Sequence, residues 1–204
     1  QCAGSTAEAK KSSPMSSIRE RFDSLRDGKR CGFIPFIVAG DPDMETTARL
    51  LPALSRLDPV AIEVGVPFSD PTADGPVIQR ASQRSLRHGT DLSKILRMLK
   101  RLRRNEVAPI VLFSYYNPIL QFGIEEFARS AAECGVAGVL VVDLPADAAE
   151  LLHKQLRRRK LVLIFLFATT TIDQRLKQIP QPHTGLTFVF SPPRRPGHRT
   201  RIPQ

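Results

Sequence analysis

One pattern recurs along the chain: a short, almost continuously apolar run, a break, then an apolar stripe with helical spacing. The runs are Phe33–Val38, Ala61–Val66, Ile110–Ser114, Val139–Asp143, Leu161–Phe167 and Leu186–Phe190. Helical segments follow at Glu45–Ser55, Val77–Leu86, Ile95–Leu102, Ile124–Ala132, Ala148–Leu156 and Ile172–Ile179. Runs of Val, Ile, Leu and Phe are what parallel strands require when both faces are covered. Two architectures meet that demand: an open doubly wound sheet, or a (β/α)8 barrel lacking its end. The first run leads into Gly40-Asp41-Pro42-Asp43 with no Gly-x-Gly-x-x-Gly turn. That excludes a dinucleotide-binding use of the sheet, not the sheet itself.

The second run separates the two architectures. Alternation places Ile62, Val64 and Val66 on one side and Ala61, Glu63 and Gly65 on the other. In a barrel, outward strand residues pack on helices, and inward ones near the catalytic mouth can be polar. Glu63, flanked by two small residues, then becomes an inward carboxylate with room for a ligand above it. Burying it without a partner costs on the order of several kcal/mol. A structural salt bridge is the competing reading. This moves the choice toward an α/β TIM-type (β/α)8 barrel, incomplete, with about six strands present, and leaves the open sheet as the alternative.

Ahead of it, Ser17 and Glu20 have the spacing expected of a capping box, and Ile18, Phe22 and Leu25 make the stripe of a short helix that Gly28 should end. Residues 1–15 are Ala/Ser/Lys-rich and are expected to be a disordered tail. Residues 16–191 are the partial barrel, and 192–204 form a Pro/Arg-rich tail. No apolar stretch approaches the eighteen or so residues of a membrane span. Cys2, Cys31 and Cys134 have neither metal-ligand nor disulfide spacing. Together these favour a cytoplasmic protein, or a plastid one if the source is a plant or alga. The formal charge of +10 concentrates in Lys94–Arg104 and Lys154–Lys160. Both clusters lie in helical segments and read as solvated faces. No nucleic-acid motif accompanies them, and the sign also suits a small anionic substrate.

The segment from Glu63 to Pro76 carries the chemistry. It sets one carboxylate in a strand and two more, Asp70 and Asp74, in the loop leaving it. Different settings give unlike proton affinities, as needed when one group exchanges protons and another stays ionised. Asp70 and Asp74 can also be read as Asx-turn residues beside proline or glycine.

The same segment closely resembles the signature of the tryptophan synthase alpha chain family. Phe33-Ile34-Pro35-Phe36 with Gly40-Asp41-Pro42, Tyr115-Tyr116-Asn117-Pro118 with Gly123 and Phe127, Gly135-Val136 with Asp143-Leu144-Pro145, and Asp173, Arg175 and Leu176 follow in the family's order. The resemblance covers roughly Ile18 to Ser191. It implies retro-aldol cleavage of indole-3-glycerol phosphate to indole and glyceraldehyde 3-phosphate in L-tryptophan biosynthesis. It further implies no metal or organic cofactor in this subunit, and a pyridoxal-phosphate-containing beta chain as partner in an alpha2-beta2 tetramer. On the matching positions Glu63 is the acid/base and Asp74 accepts from the indole nitrogen. Phe36, Gly185 and Phe188 contact substrate, and Asp70 and Asn117 communicate with the beta chain. Core packing is the alternative for Phe36.

Two departures accompany the resemblance. Phe188 stands where the family usually has a tyrosine, losing a hydrogen bond worth about 0.5–1.5 kcal/mol. After Ser191 a glycine-rich closing loop is replaced by Pro192-Pro193-Arg194-Arg195-Pro196-Gly197-His198-Arg199. The change reads as a truncation or reading-frame slip, with strands seven and eight and most of the phosphate site missing. The expectation is little lyase activity from these 204 residues alone. The alternative function is an inactive fragment or interaction module that keeps the beta-facing loops.

Overall fold

The computed structural model describes residues 14–102, 107–144, 146–168 and 187–190. The helix expected over Ile172–Ile179, Gly185, and the two tails (except Pro14 and Met15) lie outside the described residues. A first helix, α1 (Pro14–Asp27), precedes strand β1 (Phe36–Val38), α2 (Met44–Ser55) and β2 (Ile62–Gly65). Then come α3 (Pro76–Arg87), α4 (Leu92–Arg101), β3 (Ile110–Ser114), α5 (Tyr116–Phe122), α6 (Ile124–Glu133) and β4 (Gly138–Val141). The described chain closes with α7 (Ala146–Arg158), β5 (Val162–Ala168) and β6 (Thr187–Phe190).

All six strands pair in chain order, β1 to β6, and every pairing is parallel. A doubly wound sheet would reverse its order at the centre. The sequential order leaves the barrel.

Local chemistry explains most boundaries. Asp43 and Asp91 cap α2 and α4, their carboxylates accepting from the Thr46 and Lys94 amides at 2.6 and 2.7 Å. Gly75 and Pro76 open α3, with proline where its missing N–H is not needed. Strand β1 is shorter than its apolar run because Pro35 has no N–H to donate. The run still follows β2, as the Phe33 and Pro35 carbonyls accept from Val60 and Glu63, each at 2.9 Å. Helix α1 starts at Pro14, so Ser17 lies within it rather than capping it. Gly28 follows α1 as expected, yet the left-handed residue of that turn is Lys29, with φ of 50°. Helix α5 was not foreseen. Pro118 in its first turn reads as a breaker in sequence, but an amide there would have no helical partner anyway.

Two apolar layers separate across the sheet. Outward residues Ile62, Val64, Leu112, Val139 and Leu163 pack on Leu51, Ile95, Leu99, Phe127, Leu152 and Leu156 from the helices. Inward residues Ala61, Val111, Ala137, Leu140, Val162 and Ile164 form a second cluster with Ile18, Phe22 and Leu25 of α1. The N-terminal helix thus covers the inner face near the strand starts. Each large side chain taken fully out of water contributes about 1.5–3 kcal/mol. Filling the bottom of the barrel in this way leaves the strand C-terminal ends for chemistry.

Candidate active site

Glu63 sits on the inner face of β2, level with Phe36 of β1 and Val111 of β3. Its neighbours in sequence, Ile62 and Val64, belong to the outer layer, so the parity read from sequence holds. Two residues on, Gly65 lies under the Phe36 ring; a Cβ there would come within 2.7 Å of Phe36 Cζ. Phe113, the β3 partner of Gly65, meets Phe36 edge-on with ring centroids 5.2 Å apart. A side chain at position 65 would fill the space these rings occupy. The two rings therefore make an aromatic wall beside the carboxyl.

No hydrogen bond or ion pair reaches the Glu63 carboxyl among the described residues, so the salt-bridge reading finds no partner. Burial without compensation pushes its pKa up to about 7. Such a group is part protonated and part ionised near neutrality, the condition for both giving and taking a proton.

The loop leaving β2 is tied to β3. Tyr115, 2% exposed, stacks on Phe68 with centroids 5.0 Å apart. Its Oη accepts the Ala73 amide at 3.0 Å. Gln79 Nε2 donates to the Asp74 carbonyl at 2.8 Å, and the Asp74 amide donates to the Pro71 carbonyl at 3.3 Å. The Asp74 side chain is half-buried. Burial raises its proton affinity, while the hydrogen bond from Tyr115 works the other way. Pro76 offers no N–H two residues on, so Asp74 cannot close the Asx turn that its sequence setting suggested.

Asp70 and Asn117 are both exposed. The Asp70 carboxylate accepts from Ser69 Oγ at 2.7 Å, and Asn117 stands in the first turn of α5. Neither hydrogen-bonds to Glu63 or Asp74 among the described residues. Phe188 lies in β6, its backbone level with Leu166, and Gly185 falls outside the described residues. Among the described residues, no group of three or more His, Cys, Asp or Glu is placed to hold a metal.

Tyr115 and Phe113 were given no role in the reading of the sequence. The signal was available: Val111 and Phe113 of β3 and Tyr115 just beyond it share one parity, level with the Glu63 side of β2. What could not be read was that Tyr115 reaches across to the loop of a different strand.

These features define a parallel β/α-barrel protein with an inward carboxyl, Glu63, on β2 and a second carboxylate, Asp74, in the loop that leaves the same strand. The family model for the tryptophan synthase alpha chain matches residues 22–201, and the chain belongs to that family. It is 44% identical over 188 residues to the tryptophan synthase alpha chain of Trichormus variabilis, covering 92% of this chain and 71% of that one. The crystal structure of tryptophan synthase subunit alpha from Legionella pneumophila superposes with a TM-score of 0.79 at 35% identity, covering 86% of this chain and 67% of that one. A chain of the tryptophan synthase α2β2 complex from Pyrococcus furiosus gives 0.72 at 42% identity, covering 79% and 68% respectively. The chain spans roughly two thirds of the length of these relatives.

Proposed function

We propose that this chain carries the alpha reaction of tryptophan synthase, cleaving indole-3-glycerol phosphate into indole and glyceraldehyde 3-phosphate. The observation that carries the reading is the inward Glu63 carboxyl, unpaired among the described residues and poised near neutrality by burial. Protonated Glu63 gives its proton to indole C3, and the resulting carboxylate takes the proton of the glycerol hydroxyl as the carbon–carbon bond breaks. The electron pair of that bond returns to the ring, and the hydroxyl carbon becomes the aldehyde. Glu63 ends the cycle protonated, as it began.

Asp74, kept ionised, accepts the indole N–H and stabilises the positive character that develops when C3 becomes tetrahedral. Phe36 and Phe113 supply the apolar wall for the indole ring. The chemistry assigned to these residues asks for no cofactor in this chain. The beta chain, as in the α2β2 complex from Pyrococcus furiosus, is the partner, and Asp70 and Asn117 are exposed where such a partner could read them. Pyridoxal phosphate belongs to that partner. A cytoplasmic location goes with this reading, Cys31 and Cys134 forming no disulfide among the described residues. Among the described residues no helix is long and apolar enough to cross a membrane.

Indole release from indole-3-glycerol phosphate tests the reading, with a beta chain added and the chain assayed both as it stands and joined to the remaining third of a relative. Glu63→Gln should abolish release in whichever form turns over. Equal rates for Glu63→Gln and the parent would reject the assignment.

A further inference from the structure

We propose that Tyr115 is a positioning residue that clamps the β2 exit loop to β3 and holds the Asp74 carboxylate ready for an incoming N–H donor. The inference deepens the function proposed above and rests on its assignment of Asp74. Two contacts of one phenol and the neighbouring Asp74 carboxylate carry it. The ring stacks on Phe68 at the start of the loop, with centroids 5.0 Å apart. The hydroxyl oxygen accepts the Ala73 amide at 3.0 Å near the loop's end. With its lone pair so engaged, the phenol has its proton free to donate to the Asp74 carboxylate beside it.

The clamp is itself anchored. Tyr115 is almost wholly buried, so its ring cannot swing out to water. The next amide, Tyr116 N–H, donates to Asp143 Oδ1 at 2.6 Å, which ties the start of α5 to the exit of β4. Three consecutive strand exits are therefore linked: Asp143 holds the backbone beside Tyr115, and Tyr115 holds Ala73 and Asp74. The titratable groups acting on this phenol, among the described residues, are Asp74 from the β2 loop and Asp143 from the β4 exit. Both are acids, so the proton stays on the tyrosine and the hydrogen bond keeps its direction. Among the described residues, burial raises the proton affinity of Asp74 and the tyrosine hydroxyl lowers it. The tyrosine proton favours the ionised form of Asp74 and so offsets part of what burial takes away.

The test is carboxyl-carbon NMR titration of the 204-residue chain, following Asp74 with Glu63 as internal control. Tyr115→Phe keeps the ring and its stacking but removes the donor. The Asp74 midpoint should then rise by about one pH unit, while Glu63 stays near its parent value. Should Tyr115→Phe fail to fold, 3-fluorotyrosine in a Tyr116→Phe background labels position 115 alone, since the chain has two tyrosines. The stronger donor should lower the Asp74 midpoint. An Asp74 midpoint indifferent to the phenol in the folded variant overturns the clamp. The functional reading fails separately: if the midpoint moves but indole release does not depend on Asp74, the clamp stands and the lyase assignment falls. In a chain that turns over, Tyr115→Phe should lower kcat several-fold more than it raises KM, and the acidic limb of its pH profile should move with the Asp74 midpoint.

Discussion

Phe36 lies across Gly65 so closely that a methyl group on the glycine would meet the ring at 2.7 Å. The contact joins neighbouring strands, and Phe113 meets the same ring edge-on. Glycine at 65 leaves the aromatic wall in place next to Glu63. Substituting Gly65→Ala should push the Phe36 ring aside and destabilise the fold by about 1–3 kcal/mol. Phe36→Leu in the same chain should recover part of that loss, because it vacates the space the methyl needs. Urea unfolding of the two single variants and the double variant measures the coupling, and purely additive losses would contradict the contact.

The raised proton affinity of Glu63 links its chemistry to stability. In the unfolded chain the carboxyl ionises near 4.5, and in the folded chain near 7. Below pH 4.5 both states hold the proton, and the side chain contributes no pH dependence. Between those values the unfolded chain releases a proton that the folded chain retains, so stability falls as pH rises and levels off above 7. Glu63→Gln lacks this loss. Its advantage over the parent should be near zero at pH 4 and about 1–2 kcal/mol at pH 8, the lower part of the range because the carboxyl keeps some solvent contact. Denaturant midpoints at the two pH values decide it, and the same variant should form no indole.

Asp74→Asn keeps the shape of the loop side chain but removes its charge. Substrate should still bind, since the apolar wall of Phe36 and Phe113 is intact, while turnover should fall about a hundredfold or more. Steady-state indole release at saturating substrate separates the two effects. A large rise in KM with unchanged kcat would place Asp74 in uniform binding rather than transition-state stabilisation.

Away from the mouth, Thr90 Oγ1 is buried and has no hydrogen-bond partner among the described residues. It faces Gly40, whose φ of 80° suits glycine and whose missing side chain leaves room for the Thr90 and Ser85 hydroxyls. Thr90→Val keeps the volume and removes the unsatisfied oxygen. It should be neutral or stabilising by up to about 1 kcal/mol by thermal or denaturant unfolding. A loss well beyond 1 kcal/mol would show that the hydroxyl has a partner after all.

The strand–helix alternation and the side of β2 that carries Glu63 were legible in the chain itself; the capping aspartates Asp43 and Asp91 are equally local signals that the sequence reading did not name. Each depends on covalent geometry acting over a few residues: a period of two along a strand, or a side chain reaching its own backbone three positions on. The same motifs pointed to the tryptophan synthase alpha chain family. Tertiary structure alone decided that α1 packs on the inner face, that Tyr116–Phe122 turns into a helix, and that Phe36 covers Gly65. It also decided the proton affinities, because Glu63 is poised near neutrality by the loss of water around it, and Asp74 is offset by a tyrosine 41 positions away in the chain. Desolvation and contacts between distant segments depend on what folding brings around a group, and no local pattern of residues records that surrounding.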